Sequence, residues 1–337
     1  MPRWARLLGR PRRRAVAITE GAGACSGSTL AFSEYLREQR VPVVWVYRDD
    51  PSIVPSGFAG VRAGTARHRW LAARSRWWIT DGLPMRVSGP DTVGRPVERG
   101  PQTRVLAFVE PTIQKVGSDV VDWPLLTPRQ QRLLQMRAQT DVDLVAVPSE
   151  ASGESLARAW GFTAPSTVGS PLVERVPATQ EARARLGLAD SAFVVGVVLE
   201  RPDASFPAGE QGGLIIVSPN DQASPADIVG ACDVLVTDVS SWAVVAARLD
   251  RPVIVYALDL RDLLSRGPGL YLPWQRELPG PHVSTPEGLE SAVQAILQSG
   301  GRVPAEFERG HAALASLVSD RREGSCAALL AVLEDQG

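Results

Sequence analysis

Apolar positions along the chain come in two recurring forms. Short β-branched runs are each followed by Gly, Ser, Asp or Pro, and then by a longer segment whose apolar residues stand three and four apart. The first form suits a strand buried on both faces and the second an amphipathic helix, so the chain reads as repeated βα units around parallel sheets. The pattern predicts strands over 15–19, 41–47, 77–80, 105–109 and 143–147, with helices over 30–39, 65–74, 128–138 and 150–160. After a Pro- and Gly-containing stretch at 169–174 the alternation starts afresh. It predicts helices over 179–186, 242–249, 286–298, 308–318 and 325–333, and strands over 193–199, 214–217, 233–237 and 253–256. Gly161 and Gly187 stop two of these helices. Two domains follow, 15–168 and 169–337, behind a basic tail at 1–14.

The densest signal lies in 231–259. An apolar strand ends at Thr237, Asp238, Ser240 and Ser241 supply cap chemistry, an Ala-rich helix follows, and Asp250-Arg251-Pro252 leads into another strand. The crossover of such a unit is right-handed. A helix start beside a strand's carboxyl end offers free N–H groups and a positive dipole, and serines add hydroxyl donors, which together suit a phosphate. Plain helix capping accounts for the same residues equally well. A second candidate is the loop at 20–29, where Gly21, Gly23, Ser26 and Gly27 join a strand to a helix. Its glycines allow positive φ and close backbone approach, so it could seat a phosphate or an acceptor, or serve only as a tight turn.

Composition narrows the classes. With 337 residues, 44% of them hydrophobic, the chain can bury two cores, and a net charge of -1 argues against a nucleic-acid binder. Six arginines fall in the first fourteen residues, with Trp4, Leu7 and Leu8 between them. They could lie on an anionic membrane surface at about 1 kcal/mol per basic residue, or form a solvated tail. No apolar run is long enough to span a bilayer and no signal-type segment follows the arginines, so the expected place is the cytoplasm, at most peripheral on the inner face of the plasma membrane. Cys25, Cys232 and Cys326 are widely spaced, which suggests neither disulfides nor zinc, and no metal or cofactor is predicted. His68, His282 and His311 read as surface residues, and the adjacent Trp77 and Trp78 as core filling.

The decamer Cys232-Asp233-Val234-Leu235-Val236-Thr237-Asp238-Val239-Ser240-Ser241 resembles the S-D-x-L-I-T-D-Y-S-S segment of the CDP-glycerol glycerophosphotransferases, which build the poly(glycerol phosphate) of wall teichoic acids. Val43-Val44-Trp45-Val46 is similar to that family's F-V-W-V, and Leu278-Pro279-Gly280-Pro281 to its x-P-G-P. Residues 112–119 resemble the distal half of its W-H-G-T…P-L-K-K-I-G motif. The resemblance implies an α/β, GT-B-like fold, two Rossmann-like domains facing an interdomain cleft. It implies a CDP-alcohol donor such as CDP-glycerol, held by Thr237, Asp238, Ser240, Ser241, Arg266 and Gly267, and an envelope polymer or lipid-linked acceptor.

The chain also departs from the family pattern. Val109 stands where the first motif has its histidine, Leu172 where a later one has arginine, and Ser218-Pro219 where His-Pro is expected. Proton chemistry would then fall to Glu110 or Asp119, although Glu110 also reads as a solvated strand-end carboxylate. Three readings stay open: a diverged glycerophosphotransferase, a nucleotide-binding relative without turnover, and a GT-B NDP-sugar glycosyltransferase.

Overall fold

A computed structural model describes residues 12–18, 27–47, 50–80, 103–107, 113–120, 129, 132, 136, 139, 142–163, 165–199, 209–211, 214–219, 223–257, 260, 261, 264, 269–274, 276–319 and 323–335. The chain forms two compact units, one of residues 1–110, 125–174 and 321–337, the other of 111–124 and 175–320. Unlike the contiguous domains expected from patterning, each unit therefore takes a segment from the other's stretch of chain.

In the first unit, strands β1 (Arg12–Ile18), β2 (Val43–Tyr47), β3 (Ala59–Arg62), β4 (Ser75–Thr80), β5 (Thr103–Ala107), β6 (Leu144–Val147) and β7 (Ser166–Thr167) form one sheet in the order 3-2-1-4-5-6-7. Every pairing is parallel. β1 begins inside the basic run, with Arg12 in register with Ser75, so Arg12, Arg13 and Arg14 belong to the sheet rather than to a tail. Helix α1 (Ser28–Glu38) connects β1 to β2, and α2 (Ala66–Arg74) connects β3 to β4. Strand order reverses beside β1, where β2 and β4 flank it, and in doubly wound sheets the crevice at that reversal takes ligands.

The core of this unit packs Trp45, Trp77, Ile79, Val105 and Ala146 against Phe32 and Leu36 of α1 and against Cys326, Leu329 and Leu333 of the C-terminal helix Ser325–Asp335. Trp77 is fully buried and donates its indole N–H to the Leu333 carbonyl at 3.1 Å. Helix α3 (Glu150–Trp160) is capped by Ser149, which accepts from the Ser152 amide, and ends at Gly161 with φ 70°.

His68 is not a surface residue as expected. It is half-buried, edge-on to Trp78, and its Nδ1 accepts the Gly64 amide at 3.2 Å. Burial, helped by the charge of Arg69, lowers its pKa below the ordinary 6.5. A lowered value means the folded state binds fewer protons than the unfolded one. Stability from this ring is therefore complete above pH 6.5 and is lost as pH falls toward the folded value. His68→Phe should flatten the decline in melting temperature between pH 7 and pH 5; an unchanged slope would assign that decline elsewhere.

The short helix α4 (Pro171–Arg175) straddles the change of unit, and the second unit opens with α5 (Thr179–Leu186), closed by Gly187 at φ 67°. Its strands β8 (Val194–Val198), β9 (Gly209–Gln211), β10 (Leu214–Val217), β11 (Val234–Thr237), β12 (Val253–Tyr256) and β13 (His282–Val283) run in the order 13-12-11-8-10-9. All pair in parallel except β9 with β10. Helix α6 (Pro225–Ala231) precedes β11 and α7 (Ser241–Arg248) joins it to β12. Buried Arg183 ties α5 to the strand entry, donating to the Ala231 carbonyl at 3.1 Å and to Asp233 Oδ2 at 2.7 Å.

Helices α8 (Pro286–Gln298) and α9 (Glu308–Ala315) complete the unit. α8 covers β12 and β13 with Val293 and Ile296, while α9 packs on α7. That packing corrects the expectation for His311, which is buried with Nε2 2.9 Å from the Arg251 carbonyl. His282 is exposed as expected. Residues 113–120 join this unit through an antiparallel bridge of Gln114 with Leu270 and bonds from the Lys115 amide to Gly269 O and from the Tyr271 amide to Ile113 O, both 2.9 Å. Among the described residues no helix is long and apolar enough to cross a membrane, and no cluster could hold a metal ion.

Candidate functional site

β11 lies between β8 and β12, and its last residue, Thr237, is in register with Val198 on one side and Val255 on the other. From β8 the sheet continues through β10 in one direction and through β11, β12 and β13 in the other. The turn from β11 into α7 thus stands at the carboxyl ends of the strands where the order reverses, the place at which open α/β sheets bind ligands. The sequence builds this turn simply. Four buried β-branched and leucine residues end at Thr237, and α7 then buries Trp242 and Ala243 through Ala247 against the sheet.

The hydroxyls behave differently from the expected cap. Ser240 occupies the N-cap position with extended φ -125° and ψ 167°, yet its side chain makes no capping bond. Its Oγ is 3.0 Å from Thr237 Oγ1, and both side chains are buried. The backbone supplies what order there is: the Ser240 amide donates to Asp238 O at 2.9 Å, and the Ala243 amide to Ser240 O at 3.2 Å. The first-turn amides of a helix have no intrahelical acceptor, so with the cap hydroxyl engaged elsewhere those of Ser241 and Trp242 stay available to an anion. Ser241, the first residue of α7, is half-buried, whereas the Thr237 hydroxyl lies against that of Ser240.

Asp119 joins the same unit, on a single 3-10 turn, Gly117–Asp119, where its Oδ2 accepts from the Tyr271 hydroxyl at 3.1 Å. Lys115, the only lysine of the chain, is half-buried with its alkyl stem over Gly269, whose φ of +83° and missing side chain leave room for it. Nothing in the sequence marked Tyr271 as the partner of Asp119. Gly27 is the N-cap of α1, with φ 91° and ψ -158°. Glu110, Arg266, Gly267, Gly21, Gly23 and Ser26 lie outside the described residues.

Residues 203–312, which contain the β11–α7 turn, match the family model of the CDP-glycerol:poly(glycerophosphate) glycerophosphotransferases. Over that segment the chain is similar to this family. Solved structures of the wall teichoic acid polymerase TagF superpose along nearly the whole chain. The unmodified polymerase gives a TM-score of 0.71 at 17% identity, covering 96% of this chain and 89% of that one. A histidine-to-alanine variant gives 0.72 at 18%, with the same coverage. A histidine-to-asparagine variant soaked for 30 minutes with CDPG gives 0.73 at 16%, covering 97% and 89%. At such identities the likeness establishes the fold, and the expected α/β architecture of two Rossmann-like, GT-B-like units stands. No curated protein sequence matches the chain. Within the matched segment, Thr237, Asp238, Ser240 and Ser241 occupy one turn, while Asp119 and Gly27 come from outside it.

Proposed function

We propose that the chain is a CDP-glycerol glycerophosphotransferase-type enzyme, moving an alcohol phosphate from a CDP-activated donor to a hydroxyl of a teichoic-acid-type acceptor. The observation that carries this is the uncapped start of α7 at the strand-order reversal, inside the segment that matches the family. The α7 amides and the Ser241 hydroxyl hold the donor pyrophosphate, Thr237 keeps Ser240 from covering them, and Arg266 and Gly267 add a guanidinium and a close backbone approach. The acceptor oxygen attacks the β-phosphorus, the bond from that phosphorus to the bridging oxygen breaks, and CMP leaves with the electron pair. Phosphoryl transfer of this kind is mainly positioning and charge stabilisation, which suits a site of amides and hydroxyls.

The acceptor's proton passes to a carboxylate, Glu110 or Asp119. Asp119 is oriented by Tyr271, whose hydroxyl donates to its Oδ2 at 3.1 Å. The arginines at positions 3, 6 and 10 keep the enzyme near anionic lipid on the inner face of the membrane, where a lipid-linked acceptor would be met.

A second reading, binding of the nucleotide without turnover, is favoured by Val109, Leu172 and Ser218 standing where the family pattern has two histidines and an arginine. CMP release from CDP-glycerol, followed with the full chain and a glycerol phosphate oligomer, separates the two. Turnover that falls by about 10² to 10⁴ in Glu110→Gln or Asp119→Asn identifies the base. CDP binding without CMP release supports the second reading, and turnover of UDP- or GDP-sugars instead would replace both.

A further inference from the structure

The first unit carries a polar atom that its own fold leaves unused. Thr29, the second residue of α1, is 2% exposed, and its Oγ1 is buried with no hydrogen-bond partner among the described residues, while its carbonyl is taken by Ser33 Oγ at 2.7 Å. A helical Cα–Cβ bond tilts toward the helix N-terminus, so this hydroxyl leans back over the first turn. That turn begins at Gly27, whose φ of 91° and lack of a side chain leave the amides behind it without a side-chain cap. α1 follows β1, and β1 and β4 bracket the strand-order reversal of this sheet. Three features therefore meet: a helix start without a side-chain cap, a buried hydroxyl in its first turn without a partner among the described residues, and the ligand-binding crevice of a doubly wound sheet.

A buried hydroxyl without a partner is costly, and valine would fill the same volume without that penalty. We infer that the start of α1 is a second phosphate site, in which Thr29 Oγ1 and the Thr29 and Leu30 amides hold a phosphate of the acceptor. The inference rests on the proposed transfer for its choice of ligand, and on the first unit alone for the site. The group recognised is a phosphate oxygen pair. It could come from a phosphodiester within a polymer or from a phosphomonoester at a chain end.

The test uses the full chain with Ser241→Asp in the background, so that the β11–α7 turn no longer binds anions. Glycerol 3-phosphate and a bis-glycerol phosphodiester are titrated separately while the Thr29 and Leu30 amide resonances are followed. Saturable shifts at both amides are expected, with Thr29→Val weakening binding about ten- to a hundredfold and Thr29→Ser restoring it. Thr29→Val should also raise the melting temperature by about 2–4 °C, because it removes an unsatisfied group. In a protein without the background change, Thr29→Val should leave CDP affinity unaltered. The tighter of the two ligands identifies the source of the phosphate. Unchanged affinity in Thr29→Val, or no saturable shift at either amide, overturns the site. Failure of CMP release or CDP binding, by contrast, bears only on the proposed transfer.

Discussion

Ser241→Asp is expected to lower the affinity for CDP by about three orders of magnitude while leaving the protein at least as stable. Ser241 is the first residue of α7, and a carboxylate there faces the positive end of the helix, which favours folding by roughly 0.3–1 kcal/mol. The same charge lies where the pyrophosphate must sit. Two unit charges about 4 Å apart in a protein surface setting repel by about 4 kcal/mol, the equivalent of about a thousandfold in binding. Calorimetric titration of CDP alongside a thermal melt reads both quantities at once. Undiminished CDP affinity in this variant would remove the α7 turn from the donor site. A parallel loss of affinity and stability would mean only that the turn had been damaged.

Gly280→Ala should unfold the second unit. A methyl group at Gly280 would stand 1.7 Å from the Val253 carbonyl oxygen and 2.8 Å from its carbon, both backbone atoms of β12. The Pro281 carbonyl accepts the Val255 amide at 2.8 Å, so the segment cannot back away without losing its hold on the strand. Overpacking of ordinary cores costs about 1–3 kcal/mol, and a clash with fixed backbone exceeds that range. Gly187→Ala is the control, since nothing lies within 4 Å of a methyl group there. Its φ of +67° makes it cost about 1 kcal/mol. A melting temperature for Gly280→Ala within a few degrees of the parent would show that β12 is free to move. The Pro279-Gly280-Pro281 likeness to the glycerophosphotransferases is therefore accounted for by close backbone approach.

Elements with a strong internal period were the legible ones. The spans 150–160, 179–186 and 286–298 are helices with the expected ends, and 214–217 and 253–256 are strands, because apolar spacing and glycine stops acted together. β3 escaped because only Val61 of its four residues is buried, and β7 and β13 are two-residue edges with no period to detect. The turn from β11 into α7 was legible in the sequence as a strand-to-helix turn, but its bonding was not. Nothing in the order of residues distinguishes a Ser240 that caps α7 from one that turns back to Thr237. Likewise, the burial of His311 comes from the docking of α9 onto α7, a tertiary event without a local signature.

The C-terminal helix bears on how the molecule is made. Leu329, Leu330 and Leu333 are part of the core around Trp45 and Trp77, yet they follow the whole of the second unit in the chain. During synthesis the earlier-made unit must wait, its apolar face uncovered, until 175–320 has left the ribosome. A fragment ending near Glu174 would keep that face open permanently, so the halves cannot be produced as free-standing pieces by a single cut.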